Sequence, residues 1–125
     1  MASILIVEDD KNNQHILTYI LTKAGFTTIS AENGATALEI LGRTVVDLAI
    51  VDFAMPIMNG ISLLKRIRET ENIKDLPIII LTGSGDDEER TVAESVGIQG
   101  FLNKPVSSKI ILKAVTDALT TNAKS

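Results

Sequence analysis

Short apolar runs alternate with stretches of helical period five times along the chain, and this alternation limits the possible folds more than any other feature. Ile4-Leu5-Ile6-Val7, Leu48-Ala49-Ile50-Val51 and Ile78-Ile79-Ile80-Leu81 are unbroken aliphatic tetrads, as expected of strands buried on both faces. After the first, Ile16, Leu17, Ile20, Leu21 and Ala24 recur at helical spacing, and Gly25 is placed to end that helix. A β-prone stretch, Phe26-Thr27-Thr28-Ile29, follows, and the turn signal Glu32-Asn33-Gly34 opens a second helix with Ala37, Leu38 and Leu41 inward, closing near Gly42. The third strand is read from Asp47 to Val51. Leu63, Leu64 and Ile67 mark a third helix, Pro77 opens the fourth strand, and Val92, Ala93 and Val96 mark a fourth helix. Gly97 and Gly100 bracket a short fifth strand, Phe101-Leu102-Asn103. The last helix begins near Ser107 or Ser108 and presents Ile111, Leu112, Val115, Ala118 and Leu119. Strands separated by helices imply right-handed parallel crossovers, hence an α/β fold: a (βα)5 doubly wound, five-stranded parallel sheet covered on both faces.

With 125 residues, the chain suits one domain with its own core. No composition shift, repeat or low-complexity tract marks a linker. Residues 1–121 are expected to form the domain and 122–125 a flexible tail, which could be the stub of a linker in a longer protein. Cysteine is absent, which excludes disulfides and thiolate metal sites. Met1-Ala2-Ser3 runs into the first strand without a basic signal-peptide start, and no apolar stretch reaches the ~18 residues that span a bilayer. A cytoplasmic location without membrane contact is therefore expected. The formal charge is −4, with one Tyr, three Phe and no Trp, so direct nucleic-acid binding is not expected.

Polar residues stand where the apolar runs stop: Glu8-Asp9-Asp10 after the first, Asp52 after the third, Thr82 after the fourth and Lys104 after the fifth. In open parallel sheets, ligands bind at the carboxyl edge, so acids, a hydroxyl and an ammonium should meet in one pocket. Converging carboxylates repel one another, and a hard divalent cation with oxygen ligands relieves that repulsion. Mg2+ suits such a site because it accepts one or two carboxylates, keeps several waters and leaves room for phosphate oxygens. Thr82 and Lys104 supply the donors a phosphoryl group requires. Taken alone, Glu8-Asp9-Asp10 also reads as a capped helix start with solvated acids.

In order and spacing, these residues resemble the receiver domain of bacterial response regulators over essentially the whole chain. The match comprises Glu8-Asp9, Asp52, Met55-Pro56, Gly60, Thr82 and Lys104-Pro105. The resemblance implies a flavodoxin-like sheet of strand order 2-1-3-4-5. It also implies a phosphoryl group taken onto Asp52 from a sensor histidine kinase or histidine phosphotransfer protein, and a downstream protein target. Asp9, Asp52 and the backbone carbonyl of Ala54 would hold Mg2+, with Glu8 acting mostly through water. Thr82 and Phe101 resemble the family's switch pair, in which the hydroxyl moves toward the phosphoryl group and the aromatic turns inward behind it. Phe101 also reads simply as a core aromatic, and, lacking a hydroxyl, it is expected to favour burial. The Lys104-Pro105 bond is expected to be cis by resemblance.

Ala54 and Ser84 occupy positions where relatives often carry side chains that influence acyl-phosphate hydrolysis. Ala54 cannot orient a water, so slow self-dephosphorylation is expected. Asn59 stands where Asp is frequent, and Gly83 keeps the entrance beside Thr82 small. His15, the lone histidine, reads as a helix-surface residue. The chain is expected not to be a multi-turnover enzyme, and to be a monomer or weak homodimer. Two other readings are an interaction module that works without phosphorylation and a Mg2+-dependent phosphohydrolase using Asp52. The second lacks an acid at position 54 and any sequence for a substrate cap.

Overall fold

The computed structural model describes residues 2–53, 60–83, 87–104 and 107–124; for residues 87, 89 and 121–124 the description is of the backbone only. Five strands alternate with five helices: β1 (Ser3–Val7), α1 (Lys11–Lys23), β2 (Thr27–Ala31), α2 (Gly34–Leu41), β3 (Leu48–Asp52), α3 (Gly60–Glu69), β4 (Ile78–Thr82), α4 (Asp87–Val96), β5 (Gly100–Asn103) and α5 (Ser108–Lys124). All strand pairs are parallel, in the order β2-β1-β3-β4-β5, as expected. The chain leaves β1 for β2 on one side and returns to β3 on the other, so the topological switch point lies between β1 and β3. Val7 pairs with Val51 there, and the residues that follow, Glu8 and Asp52, emerge beside one another.

The period-2 geometry of strands divides each aliphatic tetrad between two cores. Leu5, Val7, Ala49, Val51, Ile78 and Ile80 face α2, α3 and α4, and pack with Ala37, Leu64, Ile67 and Ala93. Ile4, Ile6, Leu48, Ile50, Ile79 and Leu81 face α1 and α5, and pack with Leu17, Leu21, Ile111 and Val115. Removing a large side chain such as Leu64 from either layer would cost about 2–5 kcal/mol.

Several local expectations are corrected. The buried face of α1 carries Gln14, Leu17 and Leu21, whereas Ile16 is 56% exposed, because the helix turns its stripe toward α5 and the sheet by about one position. Val92 is also exposed, and among the described residues of α4 only Ala93 is fully enclosed. β2 begins at Thr27, after Gly25 at φ 100 and the donation from Phe26 N to Leu21 O have used Phe26 to close α1. Asp47 precedes β3, where its carboxylate accepts from Ser3 N at 2.7 Å. The last helix runs to Lys124, with neither glycine nor proline after Ser107 to stop it.

Candidate functional site

The acidic run after β1 divides its work. Asp10 is the N-cap of α1, its Oδ1 accepting from Asn12 N at 2.8 Å and Asn13 N at 3.2 Å. The cap reading therefore holds for the third acid, and the solvated reading for Asp9 and Asp10 but not for Glu8. Glu8 turns inward, 2% exposed. Its backbone is tied on both sides: Glu8 N donates to Ala31 O at 3.0 Å, and Glu8 O accepts from the Gln14 side chain at 3.2 Å. Asp9 remains exposed, yet ligand oxygens of Glu8, Asp9 and Asp52 lie within 4.8 Å of one another.

Lys104 reaches this cluster from the end of β5. Its Nζ stands 3.0 Å from Glu8 Oε1 and 3.3 Å from Asp52 Oδ1. The backbone brings it there, since Lys104 N donates to Thr82 O and thereby continues the β4–β5 pairing by one residue. Thr82 closes β4 and is 3% exposed. Asp52, Thr82, Lys104, Glu8 and Asp9 are thus gathered at the carboxyl edge.

Glu8 Oε2 is buried and accepts no hydrogen bond among the described residues. Burial, and then the contact with Asp52, push the Glu8 carboxyl up from 4.5 to about 7, against the opposing pull of Lys104. For Lys104, burial works to lower the pKa, but its contacts with Glu8 and Asp52 outweigh that and the net direction is up. One ammonium among three carboxyl groups leaves the site short of positive charge. An oxygen-only donor set with an orphaned buried oxygen fits a hard divalent cation such as Mg2+.

Phe101 is half-buried rather than buried: its ring lies at the rim of the α2–α4 core, edge-on to Phe53 with centroids 6.2 Å apart. The short β5 at the sheet's edge has only β4 as a neighbour, which leaves its side chains less covered. Gly83 is exposed, and a Cβ there would meet nothing within 4 Å. Ala54, Met55, Pro56, Asn59, Ser84 and Pro105 lie outside the described residues, as do the carbonyl and cis-bond expectations attached to them.

Four contributors escaped the sequence reading: Gln14, Phe53, Arg68 and Arg90. Gln14 was findable, because it precedes Leu17 by three residues and Leu21 by seven on one helical face. Phe53 stands at i+2 from Val51, on the same strand face. Arg68 donates to Gly97 O at 2.9 and 3.1 Å, Leu76 O at 2.7 Å and Lys74 O at 2.8 Å; nothing in local sequence marks an arginine that will serve distant carbonyls.

A doubly wound parallel sheet with a cluster of carboxylates and one lysine at its switch-point edge is the architecture of an α/β module with a polar site at its carboxyl edge. The family model described as "Response regulator receiver domain" matches residues 4–116, and the chain belongs to that family, the receivers of two-component phosphorelay signalling. It is 33% identical over 113 residues to the chemotaxis protein CheY of Pseudomonas aeruginosa PAO1, covering 90% of this chain and 91% of that one. It is 36% identical over 122 residues to the transcriptional regulatory protein GlrR of Escherichia coli K12, covering 98% of this chain but only 27% of that one. Several of the curated relatives it matches are thus much longer than this chain. Among solved structures, the receiver domain of sensor histidine kinase PA1611 from Pseudomonas aeruginosa PAO1 superimposes with a TM-score of 0.88 at 26% identity, over 95% of this chain and 98% of that one. That structure is described with a magnesium ion coordinated in its active site cleft. No helix among the described residues is long and apolar enough to cross a membrane.

Proposed function

We propose that residues 1–121 work as a phosphoacceptor receiver in which Asp52 takes a phosphoryl group from a sensor histidine kinase or a histidine phosphotransfer protein. An Asp52 carboxylate oxygen attacks phosphorus as the phosphohistidine N–P bond breaks, giving an acyl phosphate and leaving the electron pair on the imidazole nitrogen. The observation that carries this reading is the convergence of Glu8, Asp9 and Asp52 within 4.8 Å on a lysine 3.3 Å from the acceptor. Asp9 and Asp52 would hold Mg2+ with the Ala54 carbonyl, and Glu8 would complete the site mostly through water. When bound, the ion neutralises charge shared by the acceptor and the incoming phosphoryl group. Lys104 offers its ammonium to a phosphoryl oxygen, and Thr82 offers its hydroxyl.

Thr82 and Phe101 act as the switch pair, converting the modified site into an altered protein-binding face that a downstream protein reads. The acyl phosphate is then lost by slow self-hydrolysis. The chain works in the cytoplasm, as a monomer or weak homodimer, without direct nucleic-acid binding. It catalyses only its own phosphorylation and dephosphorylation, which makes it a signalling protein rather than a turnover enzyme.

Intact mass after incubation with Mg2+ and acetyl phosphate tests this reading. One added phosphoryl group, lost in Asp52→Ala and with chelator, is expected. No added mass under rapid sampling, with the fold intact, would favour a phosphorylation-independent interaction module.

A further inference from the structure

Phe101 is held between one fixed neighbour and one movable one. The fixed neighbour is Phe53, which directly follows Asp52 and is 6% exposed. Its N–H donates to Leu81 O at 2.9 Å, and its carbonyl accepts from Gly60 N at 2.8 Å. Gly60 presses so closely that a Cβ there would stand 3.2 Å from the Phe53 ring atom Cδ1. Phe101 meets this anchored ring at an interplanar angle of 69°. The movable neighbour is Arg90 on α4, whose guanidinium carbon lies 5.7 Å from the Phe101 ring centroid. Arg90 Nε is in turn 3.3 Å from Glu94 Oε2, one turn further along the helix.

A cation over an aromatic face is attracted to its negative quadrupole, and the Arg90 side chain is more than half exposed, so the attraction is modest. A modest attraction is enough to bias a ring between two positions of similar energy. We propose that Arg90 is a positioning residue that holds the Phe101 ring against Phe53, linking ring position to α4 through one guanidinium. The ring is thereby connected to the acceptor strand through the residue next to Asp52, independently of the Thr82 hydroxyl. The signalling consequence rests on the proposed role of Phe101 as the movable aromatic; the holding contact itself does not.

The chain has three phenylalanines, so uniform 4-fluorophenylalanine labelling gives three 19F resonances, with Phe101→Leu identifying the one of interest. In the full chain without phosphodonor, Arg90→Ala is expected to change the ratio of held to released Phe101 ring about two- to fivefold, as loss of an exposed cation–π contact implies. Arg43→Ala removes another exposed cation, likewise paired with a glutamate four positions away but outside the Phe101 contact, and is expected to change nothing. An unchanged Phe101 resonance in Arg90→Ala, or an equal change in Arg43→Ala, would overturn the proposal. Beryllium fluoride with Mg2+ is then added as a phosphoryl mimic, and Arg90→Ala is expected to reach the responding ring position at about two- to fivefold lower concentration. If the parent chain neither gains mass nor responds to fluoride, the phosphoacceptor reading fails, while the donor-free ring populations still decide the role of Arg90.

Discussion

Lys104 Nζ lies 3.0 Å from Glu8 Oε1, joining residues 96 positions apart that follow β5 and β1, strands with β3 and β4 between them in the sheet. With Asp52 the next anion, at 3.3 Å, this lysine is the cation that restrains two buried acids. Lys104→Met is expected to lower the rate of Asp52 phosphorylation by acetyl phosphate about a hundredfold or more, the scale seen when a preorganised donor is lost. Time-resolved intact mass measures this. A rate within a few-fold of the parent would remove Lys104 from the machinery.

Glu8 makes the metal-free protein sensitive to pH. Its folded-state pKa of about 7 exceeds the ordinary 4.5 because of burial and the nearby Asp52 carboxyl. Between those values the folded chain binds more protons than the unfolded one, so stability falls as pH rises through that window. Urea melts in chelator at several pH values should show this slope, and Glu8→Gln should flatten it. Adding Mg2+ near pH 7.5 should raise the midpoint by mass action. A flat profile in the parent would show that Glu8 ionises normally.

Two glycines beside the site should respond in opposite ways to an added methyl group. At Gly60 a Cβ would stand 2.8 Å from Phe53 Cα and 3.0 Å from Asp52 O, backbone atoms that cannot swing aside. Gly60→Ala is expected to destabilise the fold by about 1–3 kcal/mol. Gly83→Ala meets no atom within 4 Å and should leave the melting midpoint nearly unchanged. Thermal melts of the two variants side by side settle the contrast.

Arg68 closes three backbone carbonyls, and Gly97, one of them, sits at φ 117 at the end of α4. Arg68→Met leaves those acceptors without their donor and should cost about 1–3 kcal/mol. Hydrogen exchange should accelerate first at amides near the α4 carboxyl terminus. Arg68→Lys should recover only part of the loss, because an ammonium lacks the planar fork that reaches several carbonyls.

The sequence made the sheet and its chemistry legible for one reason: fully buried parallel strands write themselves as aliphatic tetrads, and the residue following each tetrad falls at the functional edge. Glu8, Asp52 and Thr82 are placed together on that argument, and Lys104, which follows the less buried Phe101-Leu102-Asn103 rather than a tetrad, by the alternation of strands and helices. Helix faces were read less well, since Ile16 and Leu17 are equally apolar and only the packing against α5 selects Leu17. The extent of burial at Phe101 depends on β5 being an edge strand, which composition does not encode. Arg68 and Arg90 were invisible because their partners, carbonyls near Gly97 and the ring of Phe101, are brought to them by the fold and leave no local pattern.

Parallel polarity has a practical side. Every loop that follows a helix falls at the edge opposite Asp52, and one of these holds Val45, 89% exposed, between α2 and β3. A reporter peptide or a second domain spliced in there would be carried about the length of a strand away from Asp52, making that edge the natural place to build on this scaffold.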